Sequence, residues 1–222
     1  LTDLQTKLNQ MEIDLPLLED TNVLKQPLRL GKKIIPNRMV IHPMEGCDGD
    51  EKGRPGKLTS RRYKRFAEGG AGLLWFEATA VVAEGKANPR QLLLSQDTLK
   101  DLAALRQEAI NAAVNKNGSD RKPFTVLQLT HSGRYSKPIS KPQPIIAAIN
   151  PYLDGGKPTQ PQIITDAQLE ELEDRYVEAA ALAAEIGFDA VDIKSCHKYL
   201  ISELLAAHTR QGLYGGSVKN RV

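Results

Sequence analysis

The sequence predicts an α/β protein built on a parallel sheet, and three observations carry that prediction. Four short apolar runs lack the strict alternation of half-exposed strands, as strands covered on both faces do. Segments of helical spacing separate them, giving the order β-α-β-α-β-α-β, which implies right-handed crossovers. The last run, Ala190–Ile193, empties into Lys194, His197 and Tyr199. Three proton-capable side chains so close behind one buried strand mark a strand end that carries chemistry.

Arg38–His42 (RMVIH) is the first predicted strand. Thr59–Glu68 (TSRRYKRFAE) is a helix stopped by Gly69-Gly70. Ala71–Phe76 (AGLLWF) is the second strand, and the Ala- and Leu-rich Thr98–Asn115 the next helix. Pro123–Leu129 (PFTVLQL) is the third strand. A long connection follows, His131–Ile164, with Pro138, Pro142, Pro144, Pro151, Pro158 and Pro161. It leaves the third strand on the face where Lys194 and His197 lie, and reads as a cover over that site, with a surface loop as the alternative. Thr165 and Gln168 have the spacing of a capping box at the head of a helix over Thr165–Ile186. Leu169, Leu172, Tyr176, Ala180 and Ala183 form its apolar stripe, and Gly187 ends it. Ala190–Lys194 is the fourth strand, and a short helix is expected near Ile201–Ala207. No internal repeat of 20 to 50 residues is visible.

With 222 residues the chain can bury one sizeable core. Hydrophobic residues make up 41% and charged residues 26%, as in ordinary globular proteins. No apolar run approaches the roughly 20 residues of a membrane span. The first 20 residues are acid-bearing and lack a signal-like segment. The expectation is a cytoplasmic protein without a membrane partner. A net charge of +3 from scattered Lys and Arg argues against nucleic acid. Cys47 and Cys196 have no metal-ligand spacing and suit a reducing compartment, so no metal is expected. Each follows a predicted strand, which would place both near one site. Four βα units do not close an eight-stranded barrel, and a sheet cut after Arg221 would leave a bare edge. The sequence therefore reads as the N-terminal part of a longer protein, or as a chain closed by a partner. A homo-oligomer is compatible with it.

Five motifs follow the order of the elements: IIPNRMVIHPMEG, FAEGGAGLLWFEATAV, LQLTHSGR, VDIKSCHKYL and YGGSVKNR. On these, from about Leu18 to Val222, the chain resembles the Old Yellow Enzyme family of FMN-dependent ene-reductases and NADH:flavin oxidoreductases. The resemblance implies a TIM (β/α)8 barrel, of which this chain holds about the first four βα units. Residues 1–222 would be the N-terminal portion of a single flavin-binding domain. It also implies FMN as cofactor, NADH or NADPH as reductant, and an activated alkene or similar electron-poor small molecule as acceptor.

The resemblance assigns flavin contacts to Pro43, Met44, Glu45, Ala78, Gln128, Lys194 and Arg221. Gln128 can donate and accept at once, as a pyrimidine edge requires, and could equally be a buried amide bonding to backbone. Arg221 would favour a reduced, anionic ring. Lys194 and His197 occupy the positions of the family's paired donors to the acceptor oxygen, with Cys47 nearby on the acceptor side. Tyr199 matches the family's proton donor, a role suited to a phenol of pKa near ~10. His131 and Arg134 take only a supporting role. Several residues depart from the family pattern. Lys194 stands for the usual histidine, Lys198 for a glycine and Lys219 for a glutamate. Glu45 stands where Thr or Cys is common; ionised, it would oppose an anionic ring unless it turned away or paired with Lys194 or Arg221. Phosphate-binding loops after strands seven and eight are not in this sequence. Two further readings stay open. One is a class I aldolase-like lyase forming a Schiff base on Lys194; the other is a non-catalytic partial barrel that completes itself with another polypeptide.

Overall fold

Four parallel strands, β1 (Val40–Ile41), β2 (Leu73–Ala80), β3 (Phe124–Thr130) and β4 (Ala190–Ile193), pair in their chain order. The computed structural model describes residues 1–154 and 161–222. Val40 pairs with Leu73, Leu73 with Phe124, and Val126 with Ala190, so the strands advance in one direction with every connection passing over a helix. Those helices are α1 (Lys57–Glu68), α2 (Leu99–Asn117) and α3 (Asp166–Glu185); α4 (Leu200–Ala206) follows β4.

Local chemistry sets the helix ends. Gly56 opens α1, its N–H donating to Thr59 Oγ1 at 3.1 Å. Thr165 caps α3 through the expected reciprocal pair: Gln168 N–H donates to Thr165 Oγ1 (3.2 Å), and Thr165 N–H to Gln168 Oε1 (3.0 Å). Gly187, at φ +87°, turns the chain out of α3, a conformation that favours glycine. Leu169, Leu172 and Ala183 of the predicted stripe are buried, with Tyr176 and Ala180 packed beside them; Ala179 and Leu182 complete that face.

One core lies between sheet and helices, where Leu74, Phe76, Leu127 and Leu129 meet Tyr63, Leu102, Leu105, Leu182 and Phe188. The Tyr63 and Phe76 rings stack 4.2 Å apart. On the other sheet face a smaller cluster of Ile35, Leu73, Trp75, Phe124, Val126 and Ala190 closes the N-terminal strand ends. Ile35 belongs to an antiparallel hairpin, Leu28–Leu30 with Lys33–Ile35, that the sequence did not announce. Neither did it announce the helix Thr2–Gln10 or the turn of helix Val218–Arg221.

Two strands differ from expectation by two residues or more, and the other two by one. β2 runs to Ala80 rather than Phe76, through a register shift between Phe76 and Thr79. A charge at Glu77 reads as a strand end, yet this carboxylate is buried and satisfied by Arg62, Tyr63 and the Gly46 N–H. β1 is shorter than Arg38–His42: Asn37 Oδ1 takes the N–H groups of Met39 and Gly72 at 3.0 and 2.7 Å, holding the approach to the strand with a side chain instead of a ladder. The long connection is partly built. It holds a 3-10 turn at Gly133–Tyr135, a helical turn at Pro151–Asp154, and a parallel pair of Ile145–Ile146 with Gln162–Ile163. Its residue Pro158 lies outside the described residues. Among the described residues no helix is long and apolar enough to cross a membrane.

Candidate active site

The segment after β1 is tied down from below. Gly46 N–H donates to Glu77 Oε2 at 2.8 Å, and Arg62 reaches Met44 O (3.1 Å), Asp48 Oδ1 (2.9 Å) and Glu77 Oε1 (2.8 Å). Burial pushes the Glu77 carboxyl up, with Arg62 opposing it. A Cβ on Gly46 would lie 2.1 Å from Arg62 Nη2, so this residue's small size lets the guanidinium pass beneath the loop. Cys47 takes φ +46°, and its thiol is pushed up by burial and then by Glu45, Glu77 and Asp48.

This anchoring presents Glu45 to the end of β4. Lys194, 7% exposed, places Nζ 2.5 Å from Glu45 Oε1 and 4.3 Å from the centre of the Tyr199 ring. Gln91, fully buried, holds Ala78 O (3.0 Å) and the Ala87 N–H (2.6 Å), and its Nε2 lies 3.4 Å from Glu45 Oε2. Burial, followed by the Glu45 charge, pushes the Tyr199 phenol up to about 12. His197 and Lys198 lie at φ +58° and +56°, a region costly for side-chain-bearing residues by about 1–3 kcal/mol each. A glycine at position 198 would fit that backbone without strain. His197 Nδ1 lies 3.0 Å from Cys196 Sγ.

Tyr199 is fixed from the β3 side. The Leu200 N–H donates to His131 O at 3.2 Å, and the His131 Nδ1 accepts the Gly133 N–H at 3.0 Å. Burial lowers the His131 pKa to about 4, so its ring is neutral in the folded protein at neutral pH. Arg134 is buried and paired with both Asp154 and Glu203, which stitches the long connection to α4.

A cavity of about 690 Å³ lies above the C-terminal strand ends. Pro43 and Glu45 line it from β1, Lys194, His197 and Tyr199 from β4, and Arg134, Tyr135, Ser136, Lys137 and Pro142 from the long connection. Other residues singled out in the sequence lie elsewhere. Met44 is exposed and contributes its carbonyl to Arg62. Ala78 is fully buried behind Gln91, and Cys47 is half-buried without lining the cavity. Gln128 donates to Asp192 Oδ2 at 2.7 Å within the sheet. Arg221 bonds the carbonyls of Gly216 (3.0 Å) and Leu205 and is not among the cavity residues. Ala87, Tyr135, Ser136 and Lys137 line the cavity and Gln91 lies beside Glu45; the sequence reading singled out none of them, since they carry no periodic or motif signal.

A parallel sheet wound in consecutive order, with its polar groups gathered past the C-terminal strand ends, defines four βα units of a TIM barrel whose site lies at the catalytic face. Residues 23–222 match the model of the NADH:flavin oxidoreductase / NADH oxidase family, and the chain belongs to that family. An NADPH dehydrogenase of Geobacillus sp. (strain WCH70) is 34% identical over 208 residues, covering 90% of this chain and 56% of that protein. The NADH oxidase of Thermoanaerobacter brockii is 32% identical, over 87% of this chain and 29% of its own length. Among solved structures, the Old Yellow Enzyme homologue from Zymomonas mobilis has a TM-score of 0.73 at 27% identity, over 89% of this chain and 56% of that one. The chain thus spans about half the length of the NADPH dehydrogenase it matches.

Proposed function

We propose that the protein to which this chain belongs is an FMN-dependent oxidoreductase that takes electrons from NADH or NADPH and reduces an electron-poor small molecule such as an activated alkene. The observation that carries the reading is the meeting of Glu45, Lys194, His197 and Tyr199 around one cavity at the C-terminal strand ends.

The residues present fit the ring end of the cofactor. Pro43 and Ala87 supply an apolar wall, Lys194 a cation, and the buried Ser136 hydroxyl, on the cavity lining, has no hydrogen-bond partner among the described residues. When bound, the flavin supplies the redox chemistry, and the protein supplies orientation and electrostatics. Pro43 and Glu45, and on the family resemblance Gln128 and Arg221, would hold it. Lys194 and His197 hold the acceptor oxygen and polarise the bond beside it, acting where charge accumulates. The Tyr199 hydroxyl holds the proton that the acceptor carbon takes up. Its raised pKa keeps it protonated across the physiological range. Tyr135 and Pro142 of the long connection line this end of the cavity. A Schiff-base role for Lys194 finds less support, because the nitrogen it needs is committed to the Glu45 carboxylate.

The full-length protein should purify yellow and bleach with NADH or NADPH under anaerobic conditions. A colourless protein that takes up no added flavin would overturn the proposal.

A further inference from the structure

We propose that Ser132 is a positioning residue for proton delivery: its hydroxyl is held facing the Tyr199 oxygen and donates a hydrogen bond to it once that oxygen has given up its proton. This rests on the functional reading above and deepens it.

A buried hydroxyl without a partner costs free energy, and native proteins hold few of them. Ser132 is fully buried, and its Oγ makes no hydrogen bond among the described residues. Its backbone is already engaged: the N–H donates to Gly85 O at 2.8 Å, and the carbonyl accepts the Tyr135 N–H at 3.0 Å. The side chain is left with one O–H to give.

The residues on either side lock this segment against Tyr199. His131 O accepts the Leu200 N–H at 3.2 Å, and a Cβ on Gly133 would lie 2.7 Å from the Leu200 nitrogen. Tyr199 is held in turn by Tyr135, ring centres 6.0 Å apart, and by the Lys194 ammonium, 4.3 Å from its own ring centre. The surroundings act on the phenolic oxygen in opposite senses. Burial and the Glu45 carboxylate favour the protonated phenol, whereas Ser132 favours the ionised form, as a donor near the oxygen does.

Proton delivery turns that oxygen into an anion. The Tyr199 O–H bond breaks, a C–H bond forms on the acceptor carbon, and the negative charge passes from the acceptor to the phenolic oxygen; a proton from solvent later replaces the one given up. Beside Glu45 the new anion is disfavoured, and the barrier to delivery includes that cost. An O–H in place and committed to no other acceptor can turn to the phenolate without first breaking a bond. Such a hydrogen bond, made only as charge develops, speeds the step instead of stabilising the fold.

The test is made on the full-length flavin-loaded protein, with cyclohexenone as acceptor and stopped-flow recording of flavin reoxidation. Ser132→Ala should slow the limiting rate of reoxidation about 10- to 100-fold, the range of one hydrogen bond to an ion. Cyclohexenone binding and bleaching by NADPH should stay within about threefold of the wild type. Ser132→Cys, whose S–H is a weak donor, should fall between. In a Tyr199→Phe background S132A should alter reoxidation by less than about threefold, because the atom it serves is gone. Urea denaturation of S132A should show stability equal to or above that of the wild type, since a buried group without a partner has been removed. Wild-type reoxidation in S132A, an undiminished effect in the Tyr199→Phe background, or a loss of stability or folding in S132A would each overturn the inference alone. Failure of the functional reading shows separately, as flavin that does not bleach with NADH or NADPH, or as reoxidation unslowed by Tyr199→Phe; either would remove the inference with it.

Discussion

Replacing His131 with asparagine should remove a pH-dependent share of the protein's stability, and its size follows from the structure. The His131 imidazole is 2% exposed, accepts the Gly133 N–H on Nδ1, and has its pKa lowered from 6.5 to about 4 by burial. Between those two values an unfolded chain binds a proton that the folded chain refuses. The folded state is therefore progressively disfavoured as pH falls from 6.5 toward 4, and the contribution is fully present above 6.5. The whole gap corresponds to about 3 kcal/mol, and the part lost between about pH 7.5 and pH 5 to about 2 kcal/mol. An asparagine Oδ1 can accept the same N–H and does not titrate. Urea denaturation of wild type and H131N at both pH values gives the comparison, because the carboxylates common to both proteins cancel in the difference. The wild type should lose about 2 kcal/mol more than the variant on acidification. Parallel losses within about 0.5 kcal/mol, the usual scatter of additive effects, would show that His131 is not held neutral by burial, and the account of the β3–Tyr199 junction would fail with it.

Three other outcomes follow from the same geometry. Tyr199→Phe should leave bleaching of the flavin by NADPH intact and slow its reoxidation by an activated alkene by about 10²- to 10⁴-fold; equal slowing of both half-reactions in stopped-flow traces would remove Tyr199 from the proton-delivery role. Arg134→Met should cost about 3–5 kcal/mol in chemical denaturation, because Asp154 and Glu203 would be left buried without their cation. Gly46→Ala should destabilise by about 1–3 kcal/mol by displacing Arg62 from beneath the loop. That cost should shrink in an Arg62→Ala background, and a double-mutant cycle with no coupling would refute the contact.

The sequence alone determined the winding. Its apolar runs and helical stripes are local signals, and Ala190–Ile193, Phe124–Thr130 and the capped helix after Thr165 fall within one residue of where those signals place them. The family and the positions of Lys194, His197 and Tyr199 were equally legible, because a motif is a property of neighbouring residues. Local reading failed where a residue's meaning depends on a distant partner. The second strand was bounded at Phe76, just before Glu77, whose carboxylate is in fact paired with Arg62 and hydrogen-bonded by Tyr63 and Gly46 from two other elements. Gln91 carried no signal because two of its partners, Ala78 and Glu45, lie 13 and 46 positions away. Glu45 itself was visible as an odd residue with two candidate cations; only packing chose Lys194, 149 positions away, and left Arg221 on the carbonyls of Gly216 and Leu205. The physical reason is that periodicity and capping act over a few residues, whereas the balance of buried charge is settled only when separate strand ends are brought within a few ångströms.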